Sequence, residues 1–203
     1  MYRMPYYTVD DKQEVLSFMK ENSFAMVTGI ADNFPVASQL PLEIIEEGEK
    51  LFFTGHLMRK TDHHYAFEKN ENVLVIFHSP HAYINASWYG NPAQASTVNY
   101  MAVHAKGKIY FTDEAGTFDA IKQLTDKHIG MDSPGSFNNI SKDYIDSMLK
   151  AIVGFRIEVE SLENVFKLSQ NKNAEDQQKI IEQLENRREP GSDFIAKKMK
   201  ERL

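Results

Sequence analysis

The chain contains no cysteine. That single absence excludes disulfide frameworks, thiolate nucleophiles, cysteine zinc sites and cysteine-ligated iron–sulfur clusters. Any metal would have to be held by histidine and carboxylate. Long apolar runs are missing too: Val73-Leu74-Val75-Ile76-Phe77 is typical of the longest, far short of the roughly 18 residues of a membrane span. The opening Met1-Tyr2-Arg3-Met4-Pro5-Tyr6-Tyr7 lacks a signal peptide's apolar core, so a cytoplasmic protein without a membrane partner is expected. Excess positive charge is also absent. Twenty-three Lys and Arg stand against 29 Asp and Glu, a net charge of −6, so no domain-wide field attracts nucleic-acid phosphates, and DNA binding would need a local patch. From Glu185 onward six basic residues face four acidic ones, a mildly basic tail that reads as a solvated face, and no convincing helix-turn-helix is present. G-x-S-x-G, P-loop, G-x-G-x-x-G and H-E-x-x-H signatures do not occur.

What is present is a globular composition: 203 residues, 42% hydrophobic, 11% aromatic and 26% charged. This length suits one domain, or one with an appendage, and supports a sizeable core. Asp10 and Gln13 have capping-box spacing, and the apolar Val15, Leu16, Phe18 and Met19 predict a helix to about Asn22. Phe24 to Ile30, Val36 to Ile44, Leu51 to His56 and Val73 to His78 read as strands, with a short helix around His64 to Lys69. Val98 to Thr112 predicts a long strand, with Gly107 as a bulge or bend, a pattern suited to a barrel. Asp113 and Ser141 cap two helices inserted before the alternating strand Val153 to Val159. Beyond Ser161 a polar stretch leads to helices from Ala174 to Asn186 and from Ser192.

Several residues could carry chemistry. The seven histidines include His78-Ser79-Pro80-His81, but Pro80 opposes a helix presenting both rings, so surface or hydrogen-bonded roles outweigh a metal site, and no metal is expected. Arg59-Lys60-Thr61 follows a strand and precedes a helix, so an anion held by a guanidinium fork and an ammonium would also meet a helix N-terminus. The same pair could equally be ordinary surface. His81-Ala82-Tyr83-Ile84-Asn85-Ala86-Ser87-Trp88-Tyr89 carries the one tryptophan, a mixture suited to a planar ring with a polar edge, and Thr97, Asn99 and Tyr100 could share that cleft. Trp88 and Tyr100 could instead fill a barrel or a dimer interface.

Ordered blocks extend along almost the whole chain: Met1-Tyr2 with Pro5; Ala37-Ser38 and Leu40-Pro41-Leu42; Thr54-Gly55-His56 with Arg59; Pro80-His81-Ala82-Tyr83-Ile84 and Ser87-Trp88-Tyr89; Thr97 with Asn99-Tyr100 and Val103-His104; Gly154-Phe155; and Lys167-Leu168-Ser169-Gln170-Asn171. On these blocks the sequence resembles the FMN-binding split-barrel proteins, and among them the PaiB-like negative transcriptional regulators. The order around Phe53-Thr54 and Arg59-Lys60 also resembles the pyridoxamine-phosphate-oxidase and flavin-reductase group. The resemblance implies a mainly β, α+β fold, a split β-barrel with N-terminal, inserted and C-terminal helices. Residues 1–160 would form the flavin-binding domain, with a helical insertion at about 113–151, and 161–203 a motif and helical tail packed on the barrel.

By position, the resemblance implies that Arg59 and Lys60 hold the FMN phosphate. Thr54 and the backbone at Phe53 would touch ribityl or phosphate, and Ser38, Gln39 and Leu40 would line the flavin. Trp88, Thr97 and Asn99 would approach it from an adjoining segment, across a homodimer interface that holds the cofactor. Lys167, Ser169 and Asn171 occupy the place of a basic motif near cofactor and substrate. The chain departs from the PaiB-like pattern at Thr61-Asp62, Val98 and Gln39, which alters the flavin's surroundings. The implied function is flavin-dependent oxidation or reduction of a small substrate, with a nicotinamide as possible electron donor and no catalytic residue identified. Alternatives are a transcriptional regulator using FMN as ligand or stabiliser, and a haem-binding split-barrel protein.

Overall fold

A computed structural model describes residues 1–203 except Tyr2, Arg3 and Met131; the Tyr2 of the resemblance's opening block therefore lies outside the described residues. Among the described residues, six α-helices and eight strands divide into two compact units. The first contains Met1–Phe18, His78–Val103 and Glu163–Leu203, and the second Met19–Phe77 and His104–Leu162. Among the described residues no helix is long and apolar enough to cross a membrane.

Helix α1 (Lys12–Glu21) buries Val15, Leu16, Phe18 and Met19 as the periodicity predicts. Its cap is Asp11 and not Asp10: Asp11 Oδ1 accepts the Gln13 and Glu14 amides at 2.8 and 3.4 Å. Two adjacent aspartates make this start ambiguous in sequence, and only backbone direction decides between them.

The second unit is built on the antiparallel strands β1 (Phe24–Ile30), β2 (Pro35–Pro41), β3 (Glu43–Glu47), β4 (Lys50–Met58) and β5 (Asn72–His78). With β7 (Thr97–Phe111) and β8 (Ile152–Lys167), their order is β2-β1-β5-β7-β8-β4-β3. The expected single strand from Val36 to Ile44 is therefore two. Pro41 has no N–H to continue a ladder, and the buried Leu42 turns its own N–H to Ser23 O at 2.9 Å. Helix α2 (Asp62–Lys69) is seated by Gly29 of β1, where a Cβ would come within 2.4 Å of the Phe67 ring. Gly107 is not a break in β7. A Cβ there would lie 2.2 Å from Glu158 O, so the glycine permits close backbone approach within a continuous strand. Between β7 and β8 stand α3 (Glu114–Ile129) and α4 (Lys142–Ala151), capped by Asp113 and Ser141 as expected. Their apolar faces meet through Ile121, Phe137 and Leu149.

The first unit pairs the short β6 (Ala82–Ile84) with the start of β7, Ala82 opposite Asn99 and Ile84 opposite Thr97. Strand β8 continues to Lys167, past the polar residues that suggested a break near Ser161, because Val165 and Phe166 are fully buried. Phe166 meets the Phe18 ring at 4.9 Å, and Asn164 exchanges two hydrogen bonds with the Val9 backbone. Helices α5 (Ala174–Arg187) and α6 (Pro190–Lys200) pack together through Ile180, Ile181, Leu184, Ile195 and Met199. Helix α6 starts at Pro190, two residues before the expected Ser192, since proline suits a first helical turn.

Candidate functional site

Strand β4 turns into α2 through Arg59, Lys60 and Thr61. Alternation along β4 sends Phe53, Gly55 and Leu57 into the core, and leaves Thr54, His56 and Met58 on the opposite face. Thr61 caps α2: its Oγ1 accepts the His64 amide and donates to Met58 O at 3.0 Å. The Arg59 amide donates to Ala151 O, and its Nε donates to Ile152 O at 2.8 Å. That tether leaves both Nη groups free to form a fork. Among the described residues, neither Arg59 nor the exposed Lys60 has a carboxylate within ion-pair reach. Lys60 is also one of three non-glycine residues with positive φ among the described residues, at 61°. Left-handed backbone costs roughly 1–2 kcal/mol outside glycine and is often retained where a ligand is held.

Thr54 lies opposite Glu43 on one side and Arg156 on the other. Arg156 pairs with Glu47 and stacks 3.6 Å over the Phe52 ring, while Glu43 is bound by Lys127. His56 shares Thr54's face, and its buried Nδ1 has no hydrogen-bond partner among the described residues. Burial holds this imidazole below its ordinary pKa of 6.5, so it is neutral at pH 7. Phe53 is fully buried, which leaves only its backbone for a ligand. Ser38, Gln39 and Leu40 lie on β2, whose end meets β4: a Cβ on Gly55 would sit 3.2 Å from Pro41 O.

The remaining expected residues fall in the first unit. Thr97, Lys167, Ser169 and Asn171 line one cleft of about 270 Å³ with Tyr7, Tyr89, Ser96 and Lys172. Lys167 Nζ donates to Thr97 Oγ1. Asn99 is fully buried and exchanges hydrogen bonds with Ser169 at 2.9 and 3.2 Å, so it acts on the cleft through Ser169. Ser169 takes φ 63°. Tyr7 donates to Asn171 Oδ1 at 3.2 Å. Trp88 is half-buried, and Arg187 lies 4.8 Å above its ring while donating to Tyr83 O. One face of the tryptophan is thereby engaged by the chain's own tail helix.

The expected residues thus lie as Ser38, Gln39, Leu40, Phe53, Thr54, Arg59 and Lys60 in the second unit, and Trp88, Thr97, Asn99, Lys167, Ser169 and Asn171 in the first. Sequence reasoning did not assign Tyr7 or Lys172 to a site, and placed Tyr89 only in the aromatic stretch suited to a planar ring. Lys172 belongs to the polar stretch after β8, which was a usable signal; Tyr7 meets Asn171 across 164 residues, a pairing no local pattern announces. Among the described residues, no group of three His, Asp or Glu converges as a metal site would require.

Strand order, inserted helices and the uncompensated cations beside β4 define the class: a split β-barrel of the flavin-binding kind. Residues 1–161 match the family described as "Putative FMN-binding domain", and the chain belongs to that family. FMN is the cofactor this membership assigns. Across its whole length the chain is 35% identical to the Bacillus subtilis protein named Protease synthase and sporulation protein PAI 2, and the match covers 98% of that protein. Two solved structures share the fold at 14% identity and TM-score 0.62. One is the FAD and heme binding protein of Mycobacterium smegmatis, matched over 84% of this chain and 78% of that one. The other is the flavocytochrome Anf3 of Azotobacter vinelandii, matched over 82% and 72%. The residues present fit a flavin phosphate: a planar fork and a point charge, with no carboxylate paired to them among the described residues, follow β4 directly at the turn into α2.

Proposed function

We propose that the chain is a homodimeric, cytoplasmic, FMN-dependent oxidoreductase acting on a small substrate. The observation that carries this reading is the Arg59–Lys60 pair, whose charges no described carboxylate compensates in a protein of net charge −6. Arg59, fixed through Nε, offers its Nη fork to the phosphate, and Lys60 adds a second charge. Thr54 hydrogen-bonds the ribityl chain, while Ser38, Gln39 and Leu40 line the ring from β2. Bound FMN supplies the hydride or electron transfer; the chain binds, orients and shields it. Neutral His56 can exchange a hydrogen bond on that face without adding charge.

A second copy is supported by the outer face of β1, β2 and β5, where Phe24 and Ile30 are exposed beside Met26, Leu74, Ile76 and Pro35, with Lys106 and Glu160 at its edge. Such an apolar face suits a homodimer interface. Trp88 and Thr97 of the second copy would approach the flavin across that interface.

The test is a visible spectrum of the purified protein, repeated after FMN addition and desalting, then after NADH or NADPH. A retained flavin band that bleaches with a nicotinamide is the expected result. A band retained but unmoved by either donor favours the second reading, a regulator that uses FMN as ligand; the end-to-end likeness to a sporulation protein supports that reading. Loss of all flavin after reconstitution overturns the Arg59–Lys60 assignment.

A further inference from the structure

The cleft of the first unit has a chemistry of its own. Its lining includes two lysines, Lys167 and Lys172, and no aspartate or glutamate. Several other lysines of this acidic chain meet carboxylates, among them Lys122 with Asp126, Lys179 with Glu175 and Lys200 with Glu185. The cleft lysines have only neutral partners among the described residues. Lys167 bonds the Thr97 hydroxyl. Lys172 Nζ lies 2.6 Å from Gln94 Oε1 and 4.0 Å from the Tyr89 ring centroid. A half-buried ammonium without a counter-ion is held at a cost, and a bound anion would relieve it.

Neutral donors complete the lining. Tyr89, only 4% exposed, keeps its buried hydroxyl without a hydrogen-bond partner among the described residues. Tyr7 donates to Asn171 Oδ1, which leaves the Asn171 amide nitrogen available. The wall is also held in advance: Ser169 is locked in its left-handed conformation by the reciprocal bonds to buried Asn99. Such preorganisation lowers the cost of binding. At about 270 Å³ the space sits at the small end of ligand pockets, which begin near roughly 300 Å³, and suits a compact molecule better than a three-ring flavin.

We propose that this cleft is a binding site for a small organic anion, a carboxylate or phosphate monoester, anchored on Lys167 and Lys172 with Tyr89 and Asn171 as neutral donors and Tyr7 orienting the Asn171 amide. As a substrate subsite it rests on the flavin reading above; as an anion site it stands without it. Burial holds the Lys167 ammonium below its ordinary value of 10.5, so an occupying anion also restores that group's proton affinity.

The test is competitive acylation of lysines in the FMN-loaded protein, read peptide by peptide by mass spectrometry, with inorganic phosphate or acetate compared against chloride at equal ionic strength. Phosphate or acetate is expected to slow labelling of Lys167 at least threefold and to leave the exposed Lys150 unchanged. Lys172→Gln should raise the phosphate concentration needed for that protection roughly tenfold. Equal Lys167 labelling under all three anions overturns the proposal, as does unchanged phosphate protection in Lys172→Gln. A separate arm uses flavin-free protein. If FMN protects Lys167 there while phosphate and acetate do not, the cleft belongs to the cofactor and this inference fails with the flavin reading intact. If phosphate protects a protein that retains no FMN, the flavin reading fails and the anion site stands.

Discussion

The turn at Arg59–Lys60 and the cleft around Lys167 and Lys172 both present two positive charges without internal counter-ions, yet they are made in opposite ways. The first is local: consecutive residues at a strand-to-helix turn, with one tether from Arg59 Nε to Ile152 O. The second is assembled from segments far apart in sequence, joined by Lys167–Thr97 and Asn99–Ser169 contacts across 70 residues and Tyr7–Asn171 across 164. Each nevertheless contains a residue in the left-handed region, Lys60 at φ 61° and Ser169 at φ 63°. At the turn, Thr61 capping α2 follows the strained residue directly; in the cleft, buried Asn99 holds it from another strand. A local site can therefore lose its charges and keep its fold, whereas an assembled one loses geometry and stability together.

The largest expected effect separates binding from stability at the turn. Arg59→Ala with Lys60→Ala should weaken FMN roughly a hundredfold in a fluorescence titration, since two charge-assisted bonds are lost, while urea unfolding changes by about 1 kcal/mol for the lost Ile152 contact. Cooperative collapse of both would break the contrast. Next, Asn99→Ala should cost about 2 kcal/mol in urea unfolding, because Ser169 loses its buried partner, and should accelerate acylation of Lys167; a stable variant with unchanged labelling would show that the cleft does not depend on this bond. Smaller still is Lys60→Gly. Relief of the left-handed strain should stabilise the fold by roughly 1 kcal/mol, while loss of one charge weakens FMN about tenfold, so melting temperature and affinity move in opposite directions.

The smallest effects are in the pH dependence. Burial holds His56 below its ordinary 6.5, so the folded protein binds fewer protons there than the unfolded chain. Stability present above pH 6.5 should therefore be lost as pH falls through the folded value, and His56→Gln should flatten this acid limb in denaturation curves. Burial acts in the same direction on Lys167, whose ordinary value is 10.5. The rise in stability it produces lies on the alkaline side, ending near pH 10.5, and Lys167→Met should remove it. Acid sensitivity surviving in His56→Gln would assign that limb to other groups.

Much of this molecule was legible before the fold was known. Short apolar runs bounded by turn chemistry located β1, β4 and β5, and the caps Asp113 and Ser141 located α3 and α4, because those signals are set by neighbours within a turn or a pleat. The Arg59–Lys60–Thr61 turn was legible for the same reason, and the ordered blocks pointed to the family that residues 1–161 match. Where burial overrides local polarity the reading stopped short: β8 runs through a polar stretch to Val165 and Phe166, and one expected strand parts at Leu42. Asp11 displaced Asp10 as the cap because two neighbouring aspartates carry the same chemistry and differ only in backbone geometry.

By itself the sequence determined the fold class, the family and the composition of the Arg59–Lys60 group, since periodicity, turn chemistry and ordered motif blocks are properties of short stretches of chain. Only the tertiary structure decided that Asn99 is a buried brace for Ser169, that Arg187 covers Trp88, and that Tyr7, Tyr89 and Lys172 join Lys167 around one carboxylate-free cleft. These are outcomes of packing between residues tens to more than a hundred positions apart. The burial that raises the cost of an unpaired charge there exists only once those segments have met.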